Sequence, residues 1–313
     1  MPATPVILDC DPGHDDMLAI VLAAAHPVID LLAITTVAGN GTLERTTANA
    51  RATCELAGIR GVPVAAGAPA PLVAPPRIAD DVHGESALDG TEMPSGESVP
   101  LEDEHAVELM SRLIAAHDRP VTLIPTGPLT NIALLLRRHH DVVDRIGQIV
   151  LMGGTMGEGN TTPLAEFNIV VDPEAADIVV RSGVPVTMCG LDVTHQALAT
   201  PDVVERIRAL GTPLSRAVVD LLGFFGERYR RLWGFPTPPV HDPVAVARVI
   251  DPSIVTVVDA HVAIELHGTH TRGATVADRF GMLGNAPNAK VATELDAERF
   301  WALLIDALAA LGR

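Results

Sequence analysis

Near its start the chain carries four aspartates within eight residues, directly after an apolar run that has high strand propensity. The run and the acidic residues that follow it are Val6, Ile7, Leu8, Asp9, Asp11, Asp15 and Asp16. If the chain is still extended at that point, Asp9 and Asp11 project to the same face. Pro12-Gly13 then predicts a turn, after which Asp15 and Asp16 open a helix, whose dipole favours negative charge. So many like charges raise each other's pKa unless a cation neutralises them, so the pattern predicts a divalent metal site with oxygen ligands, with a solvated acidic turn as the alternative.

The composition excludes several classes of protein. The 313 residues are 48% hydrophobic with a mean hydropathy of +0.29, which is ample for a core and argues against disorder. The net charge of −17 disfavours binding to nucleic acid or to an anionic membrane surface, and no apolar run reaches the length of about 18 residues that a membrane span needs. Three scattered cysteines lack the spacing of a disulfide framework or a zinc site, and the N-terminus lacks the basic region of a signal peptide. We therefore expect a cytoplasmic protein that binds neither nucleic acid nor membranes.

Short apolar segments and amphipathic segments alternate along most of the chain. The segments that predict strands after the first one are residues 31–37, 62–65, 121–125, 149–152, 184–189, 254–265 and 290–293. The segments that predict helices are residues 17–25, 43–57, 104–117, 129–138, 213–233, 244–249 and 296–311. This alternation favours an α/β fold with a single large open, mainly parallel sheet and helices on both faces, a Rossmann-like architecture. We expect residues 1–313 to form one domain, in which a mobile loop at about 67–100 and a helical segment at about 201–250 cover the active site.

Polar residues recur at the points where the predicted strands end. Asp9 and Asp11 follow the first strand, Asn40 follows the second and Thr126 follows the strand at 121–125, while the loop after the next strand carries further polar residues at 160–168. In open parallel sheets, ligands bind outside the carboxyl ends of the strands. The order of these residues therefore predicts one shared site.

The acidic turn resembles the N-terminal fingerprint of the nucleoside hydrolases, the inosine-uridine preferring type. Further motifs of that family follow in order along the chain: Val37-Ala38-Gly39-Asn40, Val82-His83-Gly84, Thr126-Gly127-Pro128-Leu129-Thr130-Asn131, Met152-Gly153-Gly154, Glu166-Phe167-Asn168, Asp172-Pro173-Glu174-Ala175 and His241-Asp242-Pro243. The resemblance spans residues 9 to about 243. It implies the nucleoside hydrolase fold, Ca²⁺-dependent hydrolysis of the N-glycosidic bond of ribonucleosides to free base and ribose, and a homo-oligomer, tetrameric or dimeric.

Residue by residue, the resemblance also implies a Ca²⁺ site and a general base. The ion would be held by Asp11, Asp16, Asp242 and the main-chain carbonyl of Thr126, a mixture of carboxylate and carbonyl oxygens that suits Ca²⁺. It would orient a water and the ribose hydroxyls, and Asp11 would take the proton of that water. Asp9 is left as a supporting group for the site.

For the substrate, the resemblance implies a polar ribose site and a histidine near the base. The residues expected to bind substrate are Asp15, Asn40, His83, Met152, Asn160, Glu166, Phe167, Asn168 and Tyr229. Carboxylate and amide oxygens suit the positive charge that develops on a sugar during glycosidic cleavage. His241 would serve as the acid for the leaving base, and Phe225 with Tyr229, four apart on one helix, would flank the base unless they are ordinary helix packing.

Other functions are compatible with parts of the pattern. A metal-dependent phosphatase of the haloacid-dehalogenase kind also places Asp-x-Asp after a first buried strand, but it needs Thr or Val where Gly13 stands and a suitable lysine, whereas Lys290 lies late in the chain. A non-enzymatic Ca²⁺-dependent nucleoside- or ribose-binding protein would need neither a base nor a leaving-group acid. A Rossmann dehydrogenase is disfavoured because no GxGxxG motif follows a strand.

Overall fold

Strands and helices alternate along the chain, as the sequence predicts. The computed structural model describes residues 2–312. The strands are β1 Thr4–Cys10, β2 Ile29–Thr36, β3 Val64–Ala66, β4 Val121–Pro125, β5 Ile146–Met152, β6 Val186–Cys189, β7 Val255–Ile264, β8 Thr275–Asp278 and β9 Ala289–Leu295. The helices are α1 His14–Ala25, α2 Leu43–Leu56, α3 Asp80–His83, α4 Ala106–Ala116, α5 Thr130–Arg138, α6 Phe167–Val171, α7 Pro173–Val180, α8 Leu191–Thr194, α9 Pro201–Arg208, α10 Pro213–Trp233, α11 Pro243–Ile250 and α12 Ala297–Leu311. Two 3-10 turns span His140–Arg145 and Pro252–Ile254.

One twisted layer of strands runs through the whole molecule in the order β3-β2-β1-β4-β5-β6-β9-β7-β8. Neighbours from β3 to β9 pair in parallel, whereas β7 pairs antiparallel with both β9 and β8. The predicted open, mainly parallel sheet is therefore confirmed. Because β1 pairs with β2 on one side and β4 on the other, the strand order reverses beside β1, which is where such sheets form a ligand crevice.

Side chains of β1 alternate between two apolar cores, one on each face of the sheet. Val6, Leu8 and Cys10 pack with residues of α1, α2 and α9 to α12, while Ile7 packs with residues of α4, α5 and α7. Each of these four side chains is fully buried, and burial stabilises the fold by roughly 1.5–3 kcal/mol for a side chain such as Leu or Ile. Packing on both faces of the sheet thus fixes the end of β1 and, with it, the acidic turn that follows.

Three details of the fold differ from the sequence-based predictions. Helix α1 begins at His14, ahead of the predicted segment 17–25 and just before Asp15 and Asp16, which were predicted to open a helix. The side chain of Asp16 accepts a hydrogen bond from the N–H of Gly13 at 3.0 Å and so caps the first turn. The four-residue edge strand β8 was not predicted because it is too short to show alternation. The loop predicted at 67–100 contains one helical turn, α3.

None of the helices in residues 2–312 combines the length and the apolar character that crossing a bilayer requires.

Candidate active site

The ends of four neighbouring strands place the polar residues of the site. Asp11 follows β1, Asn40 lies after β2, Thr126 directly follows β4, and Met152 is the last residue of β5. Each of the four is buried. The convergence that the order of motifs predicts is therefore present in the fold.

Asp11 lies in a tight backbone cradle. Its Oδ2 accepts a hydrogen bond from the N–H of Asn40 at 2.7 Å. A Cβ at Gly39 would clash with Oδ2, and one at Gly127 would lie 2.6 Å from Oδ1, so both glycines are needed for the backbone to come this close. Oδ1 is buried and has no hydrogen-bond partner among the described residues. Asp11 thus offers one free carboxylate oxygen.

Asp15, Asp16 and Asp242 form a buried acidic cluster. Each offers a carboxylate oxygen, and these oxygens lie within 4.8 Å of one another. Burial raises the pKa of Asp15 to about 7, with the charge of Asp16 as the next cause, and burial followed by the charge of Asp15 raises the pKa of Asp242 well above its usual range. Burial likewise raises the pKa of Asp11. All of these carboxylates are ionised together only if a cation is present.

The residues around this cluster fit a hard divalent cation. The bare Oδ1 of Asp11 is a buried acceptor that lacks a protein donor, and the clustered carboxylates supply more oxygen ligands of the kind that such ions take. The carbonyl of Thr126 accepts a bond of 2.7 Å from Asn168 Nδ2 and keeps a second lone pair. The carboxylates of this grouping differ in two respects from the predicted ligand set, because Asp15, expected on the ribose, lies with Asp16 and Asp242, and Asp11 lies beside the group rather than in it.

Asp9 hydrogen-bonds to residues of elements that neighbour β1. Its Oδ1 accepts bonds from Thr35 Oγ1 at 2.7 Å and Asn131 Nδ2 at 2.8 Å. Asn131 also donates to the carbonyl of Thr36 and accepts from the N–H of Ala68. Burial raises the pKa of Asp9 to about 7. The residue ties strand ends together, in agreement with the supporting role predicted for it.

The loop after β5 forms a polar wall. Glu166 caps α6 by accepting bonds from the N–H groups of Asn168 and Ile169, and it also accepts a bond of 2.9 Å from Gly154. Asn168 Nδ2 donates to the carbonyls of Thr126 and Met152, at 2.7 and 3.2 Å. These bonds fix the carboxylate and the amide before any ligand arrives, so the wall is pre-organised.

Helix α10 forms the aromatic wall. Phe225, Tyr229 and Trp233 recur every four residues, with ring centroids 4.7 Å apart for the first pair and 4.6 Å for the second. Burial lowers the pKa of His241 to about 3. Its ring is hydrogen-bonded to the hydroxyl of Tyr229 through Nε2 and to the hydroxyl of Thr194 through Nδ1. The backbone N–H of His241 donates to Asp15 Oδ2 at 3.1 Å, which joins the aromatic wall to the acidic cluster.

The acidic cluster, the polar wall, the aromatic wall and the loop with α3 line a cavity of about 380 Å³, a size typical of small-molecule sites. Its lining includes every residue expected to bind substrate: Asp15, Asn40, His83, Met152, Asn160, Glu166, Phe167, Asn168 and Tyr229. Thr126, His241 and Asp242 line it too, whereas Asp11 and Asp16 lie fully buried behind the lining. His195 does not line this cavity; its ring lies behind His241, with centroids 5.7 Å apart.

Some lining residues were not predicted. Arg77 and Ile78 come from the long loop, where no periodicity marks them. Trp233 was predicted only as the last residue of a helix, although its spacing of four from Tyr229 was a usable signal. Phe225 lines the cavity as expected for a residue flanking the base.

A family model described as inosine-uridine preferring nucleoside hydrolase matches residues 6–302. The chain belongs to this family. It is 50% identical over 306 residues to the pyrimidine-specific ribonucleoside hydrolase RihA of Shewanella sp. (strain MR-7), across 97% of this chain and 96% of the relative. It is 48% identical over 307 residues to the protein of the same name in Escherichia coli (strain SMS-3-5 / SECEC), across 98% of each chain. The solved structure of a purine-preferring ribonucleoside hydrolase from Gardnerella vaginalis superposes with a TM-score of 0.91 at 34% identity, across 99% of both chains.

Membership in the nucleoside hydrolases confirms the predicted family and the predicted enzyme class. The chain is a ribonucleoside hydrolase, which acts on N-glycosyl compounds. The phosphatase and the non-enzymatic binding protein, both compatible with the acidic turn alone, are set aside by a match that extends over nearly the whole chain.

Proposed function

We propose that this nucleoside hydrolase cleaves pyrimidine ribonucleosides in a Ca²⁺-dependent reaction that releases free base and ribose. The observation that carries the proposal is the unpartnered Oδ1 of Asp11, buried beside the cluster of Asp15, Asp16 and Asp242 at one end of a nucleoside-sized cavity. The preference for pyrimidines rests on the relatives, since the two that are about half identical are both named pyrimidine-specific, whereas the purine-preferring enzyme is 34% identical.

Asp11, Asp16, Asp242 and the carbonyl of Thr126 would hold the Ca²⁺ ion, and the position of Asp15 within 4.8 Å of two of them makes it a further candidate. When bound, such an ion lowers the pKa of water and orients hydroxyl groups. The Asn40 amide holds Asp11 in place through Oδ2 and leaves Oδ1 available. Asp11 therefore acts as the general base that accepts the proton of the attacking water.

The polar wall binds the ribose and stabilises the charge that develops on it. Asn40, Asn168 and Glu166 line the cavity beside the acidic cluster, where hydroxyl groups of the sugar can reach them. As the bond to the base breaks, positive charge builds on the sugar ring. Oxygen atoms that are already fixed by backbone hydrogen bonds stabilise this charge without reorganisation. Met152 also lines the cavity and would pack against one face of the sugar.

The aromatic wall receives the base and assists its departure. Phe225, Tyr229 and Trp233 offer flat apolar surfaces. The hydroxyl of Tyr229 lies 2.6 Å from Nε2 of His241, so the two side chains form a hydrogen-bonded pair. This pair acts as the hydrogen-bond donor for the departing base. Because burial lowers the pKa of His241 to about 3, the neutral ring takes part as a hydrogen-bonding group rather than as the charged acid predicted for it, and Tyr229 shares this role.

The direct test is a reducing-sugar assay on uridine, cytidine, inosine, adenosine and guanosine with Ca²⁺ present. Uridine and cytidine should give the highest kcat/KM. Purine nucleosides cleaved equally fast would contradict the pyrimidine preference alone, whereas no ribose from any of the five would contradict the function. A homo-oligomeric state and a cytoplasmic location remain predictions from the sequence, and light scattering after gel filtration measures the first.

A further inference from the structure

His14, which follows the Pro12-Gly13 turn and precedes the paired aspartates, connects three parts of the site. Its Nε2 lies 2.7 Å from the carbonyl oxygen of Asp89, and its Nδ1 lies 3.0 Å from Nδ1 of His83. Its ring is nearly parallel to those of Phe224 and Phe225, with centroids 5.4 and 5.1 Å away. The side chain is 2% exposed. A single imidazole thus links the turn, the loop around α3 and helix α10.

These contacts determine where the protons of the two rings lie. A carbonyl oxygen only accepts, so Nε2 of His14 carries a proton and donates it to Asp89. A buried imidazole stacked on phenyl rings favours its neutral form, which leaves Nδ1 of His14 with a lone pair. Two lone pairs do not face each other at 3.0 Å, so Nδ1 of His83 carries the proton of that bond. The backbone N–H of His14 also points at this nitrogen, at 3.4 Å. Because this contact is longer than the 3.0 Å between the two rings, we assign the proton on Nδ1 from the contact between the rings.

The other nitrogen of His83 is consequently a bare acceptor. Neutral imidazole carries one ring proton, and the Nδ1–H of His83 uses it. His83 lines the cavity, and its Nε2 makes no hydrogen bond to any described residue. Gly13 permits this position, because a Cβ there would lie 2.6 Å from Nδ1 of His83. A substrate group that meets Nε2 must therefore donate.

We propose that His14 is a positioning residue that holds His83 in its Nδ1-protonated form, so that His83 accepts a hydrogen bond from an N–H or hydroxyl group of the substrate and does not protonate the leaving base. The inference about substrate rests on the proposed function. The inference about the two rings rests on the distances between them and stands apart from it.

The proton positions are read directly from long-range ¹H–¹⁵N correlation spectra of the protein labelled with ¹⁵N-histidine, because protonated and bare ring nitrogens resonate at different frequencies. His83→Gln identifies the His83 signals. The wild type should show His83 with its proton on Nδ1. In His14→Phe, which keeps a flat ring beside Phe224 and Phe225, the proton should move to Nε2. His14→Asn places an amide oxygen near the position of Nδ1 and should retain the original form.

Asn49→Ala is the matched control for the alternative that His14 only fastens the loop around α3 to the acidic turn. Asn49 Nδ2 donates to the carbonyls of Pro12 and Ser86, both at 2.9 Å, and so ties the same loop to the same turn without touching His83. Its removal should leave the His83 proton on Nδ1. A wild-type spectrum with the proton on Nε2, or a His14→Phe spectrum identical to the wild type, would overturn the proposal, and the wild-type spectrum answers even if a variant fails to fold.

Kinetics supply the second readout. His14→Phe should lower kcat/KM for the best ribonucleoside by about tenfold, the effect of about one hydrogen bond, chiefly through KM, with Ca²⁺ affinity measured by calorimetry unchanged. A parallel loss of Ca²⁺ affinity would show that His14 acts on the acidic turn instead, and would overturn the role assigned through His83. If the wild type releases no ribose from any nucleoside, the proposed function fails while the spectra still decide the role of His14.

Discussion

The hydroxyl of Tyr229 lies 2.6 Å from Nε2 of His241, and Nδ1 of the same ring lies 2.8 Å from the hydroxyl of Thr194. The two partners come from different elements, since Tyr229 belongs to α10 and His241 precedes α11. The pair is buried and lines the cavity. The orientation of this side-chain pair, which we propose to face the departing base, is therefore set before substrate binds.

Removing either member of this pair should slow cleavage of bases that leave poorly. We expect His241→Ala and Tyr229→Phe each to lower kcat for uridine by about 10²-fold, the lower end of the range for general acid–base groups. Because each residue holds the other, the double variant should lose little more than the worse single one. The rates are measured by release of reducing sugar.

A nitrophenyl riboside, whose leaving group departs without help, is the control substrate for these variants. Its turnover should change little. An equally large loss on this substrate would assign Tyr229 and His241 to binding the sugar or keeping the site intact.

Asp11→Ala should abolish ribose release and leave the fold in place. Loss of a general base costs about 10²–10⁴ in rate. In the metal-free protein, the substitution also removes one of several buried like charges, so the free energy of unfolding should not fall. Turnover and urea denaturation measure the two effects, with Asp30→Ala, at an exposed acid far from the site, as the control. Near-normal turnover of Asp11→Ala would remove it as the base.

Chelation should eliminate activity, and Ca²⁺ should restore it. Binding to the folded state alone raises the free energy of unfolding by about 2.7 kcal/mol when the ion is at a hundred times its dissociation constant. The melting temperature should therefore rise with Ca²⁺ in the wild type and much less in Asp242→Ala, because Asp242 is one of the clustered carboxylates. Full activity in a preparation shown by elemental analysis to be metal-free would contradict the metal assignment.

Glu166 should make the metal-free protein more stable in acid than at neutral pH. Burial raises its pKa from 4.5 to about 7, so the folded state binds a proton more tightly than the unfolded state does. Its contribution is fully present below the unfolded pKa and is lost as the pH rises through about 7. The free energy of unfolding of the wild type, relative to Glu166→Gln, should fall by roughly 3 kcal/mol over this range. Urea denaturation of both proteins from about pH 4 to pH 8 measures this, and a difference that grows with pH would refute it.

The sequence predicts the sheet because strand and helix patterns are local signals, and it predicts most of the site residues because its motifs resemble those of the family in the same order. Strand propensity before Asp9 and the order of polar residues at strand ends are visible without any long-range contact. The parallel order and the cavity lined by Asn40, Glu166 and Asn168 follow from them. Edge strand β8 lacks such a signal because four residues carry too little alternation.

Contacts between distant side chains could not be predicted in this way. His14 meets His83 and Asp89 across 69 and 75 positions, and nothing in the local pattern around His14 indicates either partner. The placement of Asp15 with Asp16 and Asp242 likewise depends on how α1 faces the start of α11. The spacing of polar residues along the sequence predicts which of them lie near the crevice. Which of their atoms contact one another depends on side-chain packing, which that spacing does not give.

The bond from the backbone of His241 to Asp15 joins positions 226 residues apart. During synthesis, a nascent chain of 240 residues contains the whole acidic turn and the polar wall, yet it lacks His241 and Asp242. Asp242 is thus synthesised long after Asp15 and Asp16, the other two carboxylates of the cluster. If this set binds the proposed ion, its uptake would require a chain that has been translated and folded through the start of α11, and would report maturation without any substrate.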